Sequence, residues 1–308
     1  MRDAVKAVMT QLPILPGEYL PGYLARLRHA LFFFDNSEFF SITDGVQLGK
    51  LDKLFPKAAL RFVYLNLTQG QRGKVLHQHL GARYWRGFIN ENYLDAHVEK
   101  ELLSKKSRRG IFKGEELLGD LSKPKFCSSC LASDQELYGV ALWRATHQLP
   151  TVFVCPDHAE PLKCFAIERR STLLDYPSPQ TVPIESIYSL RMSPEHNEIT
   201  TKSLYLLGQK TEQNRQALQD IRIEVRAGLQ ATSVGGRVSI KRDAAREWQQ
   251  FIEKCLNSFE PIQQSSSSLI NLRRFHPNEI ISDGSLTHPM MFLLLLQFAE
   301  SYSGTRIL

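Results

Sequence analysis

Apolar runs of membrane length are missing from this chain. The longest, Met290 to Leu296, is far short of the roughly 20 residues that a bilayer demands, so no membrane partner is expected. Cysteine is scarce: five in 308 residues are too few for a disulfide scaffold. Met1 to Gln11 lacks an apolar stretch followed by a small-residue cleavage site, so no secretory signal is expected. The phosphate loop G-x-x-x-x-G-K-[ST], the nucleophile elbow G-x-S-x-G and the zinc-protease motif H-E-x-x-H are all absent. No repeat at a solenoid period and no long low-complexity tract is found. These gaps turn the search away from ATPases, common hydrolases and secreted scaffolds.

The few cysteines that exist are placed with purpose. Cys127 and Cys130 form C-x2-C, and Cys155 and His158 form C-x2-H after a long intervening loop. Each close pair can wrap one side of a tetrahedral ion, which is the spacing of a structural zinc site. Four such ligands leave no open position for a reacting water. One structural Zn2+ and a reducing compartment are therefore expected. A nucleic-acid deaminase also joins Cys/His ligands with an H-x-E, and His158-Ala159-Glu160 has that form. However, it follows the first knuckle, and Cys155 beside it fills the place that a catalytic water needs. His147 is read as a packed or hydrogen-bonded histidine away from both knuckles, and Cys164 as a small core residue.

The remaining pattern is mainly helical and multidomain. A helical N-terminal domain is expected over 1–122, with helices beginning near Tyr19 and over 48–55, 60–79 and 93–103. Lys100, Lys105, Lys106, Arg108, Arg109 and Lys113 make a basic linker. A small zinc-binding module follows over 123–170, with a short helix over 138–147 and a strand over 151–154 delivering Cys155. The stretch 177–183, with three prolines, reads as a linker.

A helix-turn-helix-like domain is expected over 171–260. Its first helix spans 211–227, capped by Thr211 and ended by Gly228. A turn over 229–236 and a short extended segment over 237–240 lead to a second helix over 241–256. Ala244, Trp248, Phe251, Ile252 and Cys255 face inward at spacings of three and four, while Arg242, Arg246 and Gln249 face outward. A basic second helix can enter a major groove. Arg237, Lys241, Arg242 and Arg246 are the candidate DNA contacts, and the net charge of +6 is compatible with phosphate partners. A C-terminal helical segment completes the chain over 261–308. There Thr287 and Pro289 begin a helix, apolar on nearly every side, that must be buried.

The zinc block also resembles a known family. Phe126-Cys127-Ser128-Ser129-Cys130-Leu131, Tyr138-Gly139, Leu142-Trp143-Arg144, His147-Gln148-Leu149-Pro150 and Cys155-Pro156-Asp157-His158 with Pro161-Leu162 are similar to the TniQ/TnsD family. These are target-selection proteins of heteromeric bacterial transposons. Pro16 to Leu20 and Tyr23 to Leu27 resemble the family's opening helix. Gly228-Leu229, Gly236-Arg237-Val238, Asp243-Ala244-Ala245 and the stretch from His288 to Phe298 are similar to the longer TnsD branch. Some members carry a second knuckle where this chain has only Cys164, so one zinc is expected.

The resemblance implies a non-catalytic, DNA-binding adaptor in the bacterial cytoplasm, associated with the nucleoid. Its partners would be double-stranded target DNA and a TnsC-like AAA+ ATPase that brings the transposase. The alternative is a TniQ-type adaptor that docks on a CRISPR RNA-guided effector and reads no DNA sequence itself.

Overall fold

The computed structural model describes residues 11–32, 39, 62–64, 67–80, 124–149, 151–165, 178–181, 187–189, 194–208, 211–234, 237–258, 276–281 and 289–308. The expected helices over 48–55 and 93–103, the basic linker and the cap residue Thr287 lie outside these. The described residues are mainly helical with a few short strands.

Helix α1, Leu20–Ala30, carries Pro21 in its first turn, where a missing N–H costs nothing. It buries Leu20, Tyr23, Leu24, Ala25 and Leu27; of the helical spacing Tyr19, Tyr23, Leu24, Leu27 and Leu31, the three middle residues are buried and Tyr19 and Leu31 are half-buried. The helix expected over 60–79 is interrupted. Helical residues at 62–64 give way at Leu67, and α2, Gln69–His79, starts afresh after Thr68. Thr68 donates its backbone N–H to Gln71 Oε1 at 3.0 Å, half of a capping box, and that local bond competes with helix continuation.

The central module is built on a three-stranded antiparallel sheet, ordered β1 (Lys125–Phe126), β2 (Lys163–Phe165), β3 (Ile187–Ser189). Phe126 pairs with Lys163, and Cys164 with Tyr188. Cys164 is buried, as expected of a core residue. Helix α3, Ser128–Tyr138, follows β1 directly. The helix expected over 138–147 is therefore misplaced. Gly139 sits at φ 71°, a left-handed conformation open to glycine, and ends α3 before the apolar run begins. Val140 to Arg144 continue without helix, and only Thr146–Gln148 turns again, as a 3-10 turn.

That extended run has a distant partner. Glu18 and Arg144 form an antiparallel bridge, with Tyr19 N donating to Trp143 O (2.6 Å) and Ala145 N to Gly17 O (2.8 Å). Below it Gly22 presses on Trp143, where an added Cβ would lie 3.0 Å from Cδ1. His79 Nδ1 meets Glu18 O at 2.7 Å, so α2 reaches the same joint. Arg26 clamps the Glu18 carboxylate through Nε (2.9 Å) and Nη2 (2.7 Å).

The C-terminal part wraps around one helix. Helix α8, Pro289–Ser303, buries every side chain from Pro289 to Ala299. Four consecutive leucines, Leu293 to Leu296, are wholly inaccessible, each contributing about 2 kcal/mol by leaving water. Helices α4 (Pro194–Gly208), α5 (Thr211–Gly228), α6 (Arg242–Ser258) and α7 (Pro277–Ile281) pack on it. α4 is an element that the sequence pattern did not predict. α5 ends at Gly228 as expected, and Gln230 takes the left-handed conformation beyond it. The expected turn region holds a strand of its own. β4 (Thr232–Val234) pairs with β5 (Arg237–Ser239), so a β-hairpin rather than a tight turn joins α5 to α6.

Candidate metal centre

Each pair of candidate ligands is delivered by a different local device. β1 runs straight into Cys127, the residue before α3, and Cys130 lies in that helix's first turn. The second pair sits on a narrow loop. Leu162 N donates to Phe153 O (2.9 Å) and Cys155 N to Glu160 O (2.8 Å), closing the loop around Pro156 to Ala159. Val154 bridges to Pro161, so the strand expected over 151–154 is reduced to a single pairing.

These two supports bring the predicted quartet together. The donor atoms of Cys127, Cys130, Cys155 and His158 all lie within 4.8 Å of one another. His158 presents Nδ1, at 3.5, 3.3 and 3.5 Å from the sulfurs of Cys127, Cys130 and Cys155. Cys130 and Cys155 sulfurs are 3.4 Å apart, and all five cysteines are free thiols. Bond lengths of about 2.3 Å for Zn–S and 2.0–2.1 Å for Zn–N give tetrahedral S···N edges of roughly 3.6 Å. The donor set and its spacing thus fit one four-coordinate zinc. The three cysteines are buried and His158 is exposed.

Burial pushes the Cys127 and Cys130 thiols upward, and the neighbouring Cys155 adds to both shifts. Without an ion the cluster keeps its protons, so metal binding must release them. Around the ligands, Ser129 Oγ donates to Glu160 Oε1 at 2.7 Å, and Glu160 Oε2 lies 3.4 Å from Cys127 Sγ. Arg144 holds Asp134 by two bonds, Nε at 3.1 Å and Nη2 at 2.7 Å, and reaches Asp157 with Nη1 at 2.6 Å. One guanidinium therefore ties α3 to the loop that carries His158. Lys125 is buried beneath, donating Nζ to the carbonyls of Leu149 and Val152. Burial lowers its ammonium to about 8.

His147 differs from its expected place. It is buried as predicted, yet its Nε2 lies 3.8 Å from Cys130 Sγ, beside the first knuckle. Nothing in the sequence spacing signals this, because the approach depends on the unpredicted 3-10 turn. Burial, aided by the nearby Arg144 and Lys125 charges, lowers its imidazole to about 3.

The four candidate DNA residues lie elsewhere. Arg237 opens β5, and Lys241, Arg242 and Arg246 are exposed at and after the start of α6. Lys241 Nζ bonds Gln230 Oε1, and Arg246 Nη2 pairs with Asp243 at 3.1 Å. On the inner face Ala244, Trp248, Ile252 and Cys255 are buried and Phe251 is half-buried, as the spacing predicts.

Among the described residues no helix is long and apolar enough to cross a membrane. No curated protein matches the chain. The TniQ family model matches residues 9–162, half of the 308 residues, and takes in both α1 and all four residues of the Cys3His cluster. With that match and a Cys3His cluster that closes as its spacing demands, the chain belongs to the TniQ family and is a transposition-associated protein.

Proposed function

We propose that this protein selects the target of a transposon of the TnsD type: it binds target DNA and recruits a TnsC-like AAA+ ATPase, which directs the transposase. The observation that carries the reading is the TniQ match, joined to a Cys3His cluster that supplies four donors. In this reading Cys127, Cys130, Cys155 and His158 hold one structural zinc. The module over 123–170 is the joint between a helical part over 1–122, which meets the ATPase, and the helix-turn-helix-like part over 171–260, which meets DNA. The segment over 261–308 supplies the buried helix that the latter packs on. Arg237, Lys241, Arg242 and Arg246 contact phosphates or base edges. Support comes from the outward, exposed position of Lys241, Arg242 and Arg246 beside a hairpin.

The test is a gel shift with the full chain, comparing a duplex spanning the element's insertion site with a scrambled duplex over a salt series. Selective binding is expected, and replacing Arg242 and Arg246 by alanine should weaken it and flatten its salt slope. Equal affinity for both duplexes, or an unchanged slope, would overturn the assignment.

A second reading has its own observation. The exposed face of α6 alternates Arg242, Arg246 and Lys254 with Asp243, Glu247 and Glu253. Such a balanced face suits a protein partner better than a phosphate backbone. A TniQ-type adaptor that docks on a CRISPR effector would bind that complex and show no preference between the two duplexes.

A further inference from the structure

We propose that His147 is an outer partner of the metal centre: its Nε2–H donates to the Cys130 sulfur and fixes that ligand's orientation. The inference rests on the zinc reading above.

Three observations carry it. The Nε2 atom lies 3.8 Å from Cys130 Sγ, a distance that sulfur's large radius allows for a hydrogen bond. His147 is 1% exposed, so no water competes for either atom. It is not one of the four residues whose donor atoms converge, which makes it a support and not a fifth ligand.

The tautomer follows from what surrounds the ring. A neutral imidazole has one proton to place. Nδ1 is buried and has no hydrogen-bond partner among the described residues. A proton there would be a donor with nothing to receive it, and a bare Nε2 would face the electron pairs of the sulfur. A proton on Nε2 matches the sulfur and leaves only the Nδ1 lone pair unanswered. Orphaned buried donors are the rarer defect in proteins.

The ring is also held in place. Its 3-10 turn is closed by His147 N to Arg144 O and Gln148 N to Ala145 O, both 3.1 Å. Gln148 then locks the turn to β1. Its Nε2 donates to Lys125 O (2.7 Å), and its Oε1 accepts from Lys125 N (2.9 Å). The turn that carries His147 is thus fastened to the strand that delivers Cys127. An outer hydrogen bond of this kind orients the ligating atom and slows its departure, and its loss typically costs 10–100-fold in metal affinity.

The experiment uses the full chain loaded with zinc. Release to a chromophoric chelator should be roughly 10–100-fold faster in His147→Leu. His147→Gln, whose side-chain amide can reach the same sulfur, should restore a rate close to that of the parent. In cobalt-loaded protein, His147→Leu should shift the sulfur-to-metal charge-transfer bands and keep the tetrahedral ligand-field bands. Nitrogen NMR of the unsubstituted zinc protein should find Nε2 protonated and Nδ1 bare, which decides the matter even for a variant that does not fold. Equal release rates in parent, Leu and Gln proteins would overturn the proposal. So would a proton on Nδ1, or a ligand-field change showing that His147→Leu removes a direct ligand. Parent protein that takes up neither zinc nor cobalt would instead sink the zinc reading beneath it.

Discussion

Replacing Gly22 by alanine should destabilise this protein, although the same change in a helix usually helps. A glycine inside a helix is worth up to about 1 kcal/mol less than alanine. At Gly22 the new methyl would stand 3.0 Å from Trp143 Cδ1 and 3.2 Å from Trp143 Cβ, against the usual 3.5–4.0 Å between carbons. Trp143 has little room to yield. It is 2% exposed, its ring meets the edge of Phe126 at 5.9 Å, and its carbonyl accepts the Tyr19 amide. Overpacking of a tight core costs about 1–3 kcal/mol. With the high end for a pinned neighbour, the balance is a loss of roughly 2 kcal/mol. Gly73 in α2 is the control, because an added Cβ there meets nothing within 4 Å. Gly73→Ala should therefore stabilise by roughly 0.5–1 kcal/mol. Urea unfolding followed by tryptophan fluorescence and far-ultraviolet dichroism, at one fixed zinc concentration, reads both. A Gly22→Ala protein as stable as Gly73→Ala would refute the claim that α1 and the metal module meet through this contact.

Arg144→Met should leave the Asp134 carboxylate, 1% exposed, without its bidentate partner. A loss of about 3 kcal/mol is expected, read as a lower unfolding midpoint. Zinc stripping by a chelator should be slow near neutral pH and much faster in acid, since raised Cys127 and Cys130 thiols favour protons over metal as pH falls. Stripped protein that keeps its full thermal midpoint would contradict a structural ion. Burial pushes the Glu300 carboxyl up, but bonds from Lys202 and from the Leu308 and Ile307 amides outweigh it and hold the group below its ordinary range. Its contribution is then complete above the unfolded value near 4.3 and is lost as pH falls through the folded one. Glu300→Gln should accordingly be less stable at neutral pH and show a shallower acid limb in denaturant titrations. Leu294→Ala, at the centre of α8, should cost about 2–5 kcal/mol, measured in the same titrations.

The metal quartet was legible because ligand spacing is a local property: two residues between donors suffice, whatever the rest of the chain does. The inner face of α6 and the burial of α8 were legible for a similar reason, since period and apolar density lie within one helix. What escaped was set by distant partners. The run from Val140 to Trp143 has the apolar density of a helix, yet the Trp143 carbonyl and the Ala145 amide that follows are claimed by Tyr19 and Gly17, more than a hundred residues earlier. α4 escaped because its buried face is polar. His196, Thr200, Lys202 and Ser203 are buried there beside Ile199 and Leu206, so no apolar stripe announces it. The closeness of His147 to Cys130 depends on Gln148 pairing with β1, a contact invisible to spacing.

The polar face of α4 ties two remote tasks together. Phe153 N donates to Thr200 Oγ1 at 3.0 Å, Ser203 Oγ bonds Thr151 Oγ1 at 2.7 Å, and His196 stands edge-on to the Phe153 ring. These grips fall on Phe153 and Thr151, two and four residues ahead of Cys155, while Lys202 of α4 joins Glu300 on α8. Loss of an ion from the quartet would therefore slacken the hold on α4, and the helices gathered on α8 would lose their bearing relative to α1. A zinc held by that quartet would set more than a local loop: it would govern how α1 and the helices gathered on α8 are aimed.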